Sequence, residues 1–75
     1  MDKETVYQAI TSIETQRKAE RRWPAVALIE ELELTTGTGR EELRPYLLEL
    51  YREERIDCGH TLNSVYVTTV KRDQS

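Results

Sequence analysis

Apolar residues first recur at a helical spacing. Val6, Ile10 and Ile13 stand four and three apart with Ala9 beside them, which is one stripe of an amphipathic helix. Asp2 lies just ahead of the stripe and is the expected cap, because its carboxylate accepts from the free backbone N–H groups one turn on. The stripe runs out near Gln16, and good helix formers carry the helix to about Glu20. Ala25, Leu28, Ile29 and Leu32 form a second stripe, with Glu30, Glu31 and Glu33 turned away from it. Pro24 suits the first position of that helix, where its missing N–H would have had no helical partner. Trp23, one residue earlier, is expected to pack over the seam between the first two helices; stacking on a ligand is the other use of an indole there.

Leu34 closes this unit, and the run TTGTG follows. Its two glycines break the helix and permit positive φ angles. The spacing Thr38-x-x-Glu41 reads as a capping box that opens a third helix. Leu43, Leu47 and Leu50 supply the core stripe of that helix, widened by Tyr46 and Tyr51. Pro45 falls inside the pattern and removes one backbone hydrogen bond, which predicts a bend or a separate first turn before it. After Glu54 the period changes. Residues 55–60 and 65–70 are short β-type segments, the second made of β-branched and aromatic residues throughout. Residues 61–64, Thr-Leu-Asn-Ser, make the turn between them, with Asn63 able to adopt the left-handed conformation. A two-stranded hairpin is marginal alone and must lie on the helices. The expected organisation is one domain over residues 1–70 and a polar tail over 71–75.

A chain of 75 residues has a thin core, and many domains of this size gain stability by dimerising. With 33% charged and 37% hydrophobic residues it reads as globular and not disordered. No apolar run approaches a membrane span, and the start MDKETVYQ lacks the apolar core of a signal peptide. Cys58 is the only cysteine, which fits a reducing, cytoplasmic setting. A formal net charge of −3 bears on nucleic acids, because a compact DNA-binding domain is usually basic overall or on one face. The first condition fails, so the second decides.

The order helix, helix, helix, hairpin resembles the winged helix-turn-helix superfamily. Pro24, Leu28 and Leu32 stand where such domains open and bury the second helix. Leu43, Leu47, Leu50 and Ile56 stand where they carry the core of the third helix and the entry to the wing. Val65, Tyr66, Val67 and Thr68 look like the returning wing strand. The resemblance implies an α+β fold, a small winged helix of order α1-α2-α3-β-β, with the third helix as a reader of the DNA major groove. One departure is the turn over residues 34–43, longer than the tight turn usual in these domains.

Direct readout needs Arg, Lys, Asn or Gln on the outward face of the third helix. With Leu43, Leu47 and Leu50 inward, the opposite side holds Glu41, Pro45, Glu49 and Arg52, with Leu48 at its edge. Only Arg40 and Arg44, near the helix start, suit a phosphate. Residues 57–70 contain no Lys or Arg, although a minor-groove wing usually brings one. Positive charge gathers instead at Arg17, Lys18, Arg21 and Arg22, where it complements the dipole of the first helix or meets phosphate or an acidic partner. Leu48 with Tyr51 and Pro45 forms either a wide core stripe under the hairpin or a partner surface. Leu62, at the turn, poses the same choice.

Catalysis and metal binding find little support. Cys58 and His60 share a strand face, but two ligands make no site, and Cys58 is expected as a small buried apolar residue. The pairs Glu30–Glu31, Glu41–Glu42 and Glu53–Glu54 read as solvated helix faces. The GTG run lacks the strand before it and the Lys-Ser/Thr after it that a phosphate loop needs. The sequence therefore predicts a non-catalytic interaction module, pairing with itself as a homodimer or with another protein. No cofactor, metal, membrane or small-molecule substrate is expected. The candidate interface is Pro45, Leu48, Tyr51, Arg52 and Leu62. The alternative is a small DNA-binding regulator that uses Arg17, Lys18, Arg21, Arg22, Arg40 and Arg44.

Overall fold

A computed structural model describes residues 2–70, and its elements run α1 (Lys3–Ala19), β1 (Ala27–Leu28), α2 (Ile29–Thr36), α3 (Arg40–Arg52), β2 (Ile56–His60) and β3 (Val65–Thr69). The fold is α+β, three helices on a three-stranded antiparallel sheet of order β1-β3-β2. Asp2 caps α1 as expected, its carboxylate accepting from the Thr5 backbone N–H at 2.9 Å. Val6, Ala9, Ile10 and Ile13 form the buried stripe and meet Ile29, Leu32, Leu43, Leu50, Ile56 and Val67 in one core. No described helix is long and apolar enough to cross a membrane.

The sheet has one strand more than the sequence predicts. Ala27 pairs with Val67 and Leu28 with Tyr66, and α2 begins at Ile29, not at Pro24. The cause lies in β3. Val67 is fully buried, and a buried backbone needs hydrogen-bond partners. Val67 directs its backbone groups away from β2, so the residues after Pro24 run extended to meet them. The Trp23–Pro24 peptide bond is cis, and Trp23 is 72% exposed, so it does not cover the seam between α1 and α2. Glu31 accepts from the Leu28 N–H at 3.1 Å, one half of a capping box; Leu28 has no side-chain acceptor for the other half.

The start of α3 also differs. Gly37 takes the left-handed conformation (φ 69°) and ends α2, but Gly39, not Thr38, is the cap of α3. The Thr38 hydroxyl turns back to the Thr36 carbonyl, and Glu33 of α2 accepts from the Arg40 N–H at 3.0 Å. A carboxylate from the preceding helix thus does what the Thr38–Glu41 box would have done. The helix then runs as one segment through Pro45, with no separate first turn. Leu43 and Leu50 are fully buried and Tyr46 and Leu47 pack against the core, whereas Tyr51 is exposed and does not widen the stripe.

Two residues other than glycine have positive φ among those described, Arg21 (56°) and Glu54 (59°); Asn63 is not one of them. Both follow a helix end of the same geometry. After α1, Arg21 N–H bonds Lys18 C=O and Arg22 N–H bonds Arg17 C=O. After α3, Glu54 N–H bonds Tyr51 C=O and Arg55 N–H bonds Leu50 C=O. This is the paired termination in which the left-handed residue is ordinarily glycine.

Glu14 joins α1 to the sheet. It is 5% exposed, and its carboxylate accepts from Thr69 N–H at 2.8 Å and from the hydroxyls of Thr68 and Thr69, both at 2.6 Å. The ladder explains why. Bonds from Val70 N–H to Arg55 C=O and from Thr61 N–H to Ser64 C=O set the alternation of the β2–β3 pair. By that alternation Val65, Val67 and Thr69 direct their backbone groups away from β2. Ala27 meets Val67, but β1 is too short to meet Thr69, and Glu14 takes the vacant place. Thr68 and Thr69 face opposite sides of the sheet, so only an acceptor at its edge reaches both hydroxyls.

Ion pairs tie the start of α1 to the end of α3. Lys3 pairs with Glu53, Glu4 with Arg55, and the Arg55 guanidinium lies 4.3 Å from the centroid of the Tyr7 ring. Hydrogen bonding from Arg55 holds the Glu4 carboxyl below its ordinary value, and hydrogen bonding from Lys3 does the same for Glu53.

Three outcomes follow from these contacts. Glu14→Ala removes the buried acceptor of three hydrogen bonds from β3 and is expected to cost ~2–4 kcal/mol in a urea melt. A cost under about 0.5 kcal/mol, the level of an ordinary surface change, would remove Glu14 as the link between α1 and the sheet. Arg21→Gly relieves the left-handed strain and is expected to raise stability by up to ~1 kcal/mol in the same assay. Because the folded Glu4 and Glu53 carboxyls titrate below their unfolded value, their contribution is present above that value and is lost as pH falls through the folded one. Thermal melts from pH 7 downward should therefore show a fall in the carboxylate range that is shallower in Glu4→Gln; identical profiles would sink this account.

Candidate functional site

Rotation about α3 defines its outer face. Leu43 and Leu50 are buried, and at 3.6 residues per turn Glu41, Pro45, Leu48 and Arg52 fall opposite them, spaced four, three and four apart. Arg44 and Tyr51 flank this line on one side, Glu42 and Glu49 on the other. All eight are exposed. Leu48 is 47% exposed and Tyr51 52%, so the hairpin does not cover them and they are not a widened core stripe. Tyr51 and Arg52 continue into a shallow groove of about 520 Å³, lined also by Glu54, Ile56, Asp57 and Val70. Four of the five candidate interface residues, Pro45, Leu48, Tyr51 and Arg52, thus share one surface. Leu62 stands apart, 97% exposed at the β2–β3 turn, where its neighbour Ser64 donates to Glu30 at the start of α2.

The basic candidates divide. Arg17 lies against the fold, its Nη2 donating to Glu31 at 2.6 Å and its Nη1 to the Pro24 carbonyl at 3.4 Å. Its Nε is buried with no hydrogen-bond partner. Arg22 pairs with Glu20 at 3.2 Å and Arg40 with Glu30 at 3.2 Å. Lys18, Arg21 and Arg44 make no ion pair among the described residues, nor do Glu41, Glu42 and Arg52 on α3, whereas Glu49 lies 3.9 Å from Lys3. Half of the six basic candidates are therefore engaged by protein carboxylates.

A second apolar surface escaped the sequence reading. On the outer side of the sheet, Pro24, Val26, Leu28, Thr61, Tyr66, Thr68 and the edge of Arg17 line a groove of about 660 Å³. Tyr66 lies across Gly59, where a Cβ would come within 2.4 Å of the ring. A glycine inside a strand pattern is the signal that marked this close approach.

Cys58 is exposed, not a buried apolar residue. Partial loss of hydration and the Asp57 charge push its thiol above the ordinary value, so it is a weak nucleophile. Asp57 also accepts from the Cys58 backbone N–H at 2.9 Å. The ladder alternation directs that N–H to the free side of β2, so the carboxylate shields the sheet edge. No cluster of three or more His, Cys, Asp or Glu side chains able to hold a metal occurs among the described residues. No protein-family model, curated protein or solved structure matches this chain.

Proposed function

We propose that the chain is a non-catalytic protein-interaction module of winged-helix-like architecture, with the outer face of α3 as its docking surface. Three helices and a β2–β3 hairpin in the place of a wing support the architecture. One observation carries the function: Pro45, Leu48 and Tyr51 stand exposed on the side of α3 that a DNA-reading winged helix would offer to the major groove. An apolar strip among glutamates suits a protein partner, because large apolar side chains fill pockets in protein interfaces and the acidic residues repel phosphates. A small DNA-binding regulator is the second reading. It rests on Lys18, Arg21 and Arg44, which have no carboxylate partner among the described residues.

Two measurements separate the readings. Leu48→Glu is expected to change monomer stability by less than about 0.5 kcal/mol, as for a surface site. A loss of several kcal/mol would return Leu48 to the core and end the docking-surface reading. Fluorescence anisotropy with a labelled duplex at low salt is expected to show no binding. Binding that weakens steeply with salt and is lost in Arg44→Glu would favour the regulator.

A further inference from the structure

We infer that the partner of the α3 face is a second copy of this chain, docked with its α3 antiparallel across a two-fold axis at the level of Tyr46 and Leu47. The inference rests on α3 being an interaction face, and the charges along the helix select both the occupant and its orientation. The line Glu41, Pro45, Leu48, Arg52 has the spacing of a coiled-coil seam, four, three and four residues, directly opposite the buried Leu43 and Leu50. Antiparallel pairing about that axis sets Pro45 against Leu48 of the partner subunit and Leu48 against Pro45 of the partner subunit. Glu41 then meets Arg52 of the partner subunit at each end of the contact. Neither Glu41 nor Arg52 has an ion pair within its own chain among the described residues, so both are available.

The flanks agree. Arg44 comes beside Tyr51 of the partner subunit, a cation over an exposed aromatic ring. The other flank brings Glu42 near Glu49 of the partner subunit, a like-charge contact that Lys3, 3.9 Å from Glu49, offsets. Other alignments fare worse. Leu48 against its own copy sets Arg44 opposite Arg52. Pro45 against its own copy sets Glu41 opposite Glu49. A parallel arrangement faces every charge with itself. The antiparallel arrangement also opposes the two helix dipoles favourably. Because the same patch serves both copies, the contact closes as a dimer and does not propagate. Two helices of 13 residues make an interface at the small end of the specific range, so the dimer dissociates on dilution.

Charge reversal tests this directly. Glu41→Arg and Arg52→Glu are each expected to weaken self-association at least tenfold by sedimentation equilibrium over a wide concentration series. Mixing the two variants is expected to restore a dimer. At one end of the mixed contact the two introduced charges, opposite in sign, face each other; at the other end native Glu41 meets native Arg52. The double variant on one chain should dimerise again, because both ends then carry the reversed pair. Circular dichroism of each protein checks that α3 remains folded. A wild-type chain that stays monomeric at millimolar concentration overturns the second-copy partner, while the stability of Leu48→Glu and the duplex titration still judge α3 as a face for another protein. A dimer indifferent to both single reversals overturns the arrangement. Single variants that weaken but do not recover on mixing overturn it as well.

Discussion

The carboxylate of Glu14 is the contact on which the arrangement of helices and sheet depends. It is almost wholly buried and receives a backbone N–H and two hydroxyls from β3. An uncompensated buried charge would oppose folding, and three donors at 2.6–2.8 Å make the site tolerable. The contact is also directional in a way that the core is not. Val6, Ile10 and Ile13 would accept a sheet at several heights along α1, but Glu14 fixes β3 at Thr68 and Thr69. β3 in turn sets the register of both β1 and β2. The hydrophobic contacts hold the layers together, and this polar contact sets where they sit.

A second group of carboxylates works at the helix ends. Glu33 caps α3 from α2, Glu31 serves Leu28 and Arg17 together, and Glu30 meets both Ser64 and Arg40. Much of the acidic excess is thereby drawn into short contacts between neighbouring elements. α3 is different. Glu41, Glu42 and Arg52 point outward with no such contact among the described residues, next to apolar side chains that the core does not use. Unengaged charge beside exposed apolar side chains distinguishes this face from α2, whose carboxylates are engaged.

Much of the fold was legible because helices leave a strong periodic trace. The α1 stripe, the Asp2 cap, the Gly37 break, the Leu43–Leu50 stripe and both hairpin strands appear where residue spacing places them. β1 was not legible, since two residues show no period, and Pro24 argued locally for a helix start that the ladder need of Val67 overrode. Thr38 likewise lost to a cap from another helix, which local spacing does not reveal. Glu14 did leave a trace. Residues 6, 10, 14 and 17 follow steps of four, four and three, so Glu14 and Arg17 occupy inward-facing positions, and a charged residue there implies a partner. Rotation sets Leu48 at the edge of the outward face of α3 but leaves open whether it and Tyr51 join the core, whereas the groove under Tyr66 requires knowing that Leu28 lies beside β3.

The two carboxylates at the sheet margins have one further consequence. Glu14 occupies the backbone position on the β1 side where a further strand residue would bind, and Asp57 occupies the outward N–H of Cys58 on the β2 side. A foreign strand adding to either margin must first displace a ligand already in place. Each margin of the sheet thus carries a carboxylate on one of its N–H groups, which disfavours the addition of a like strand to this small, Val- and Thr-rich hairpin.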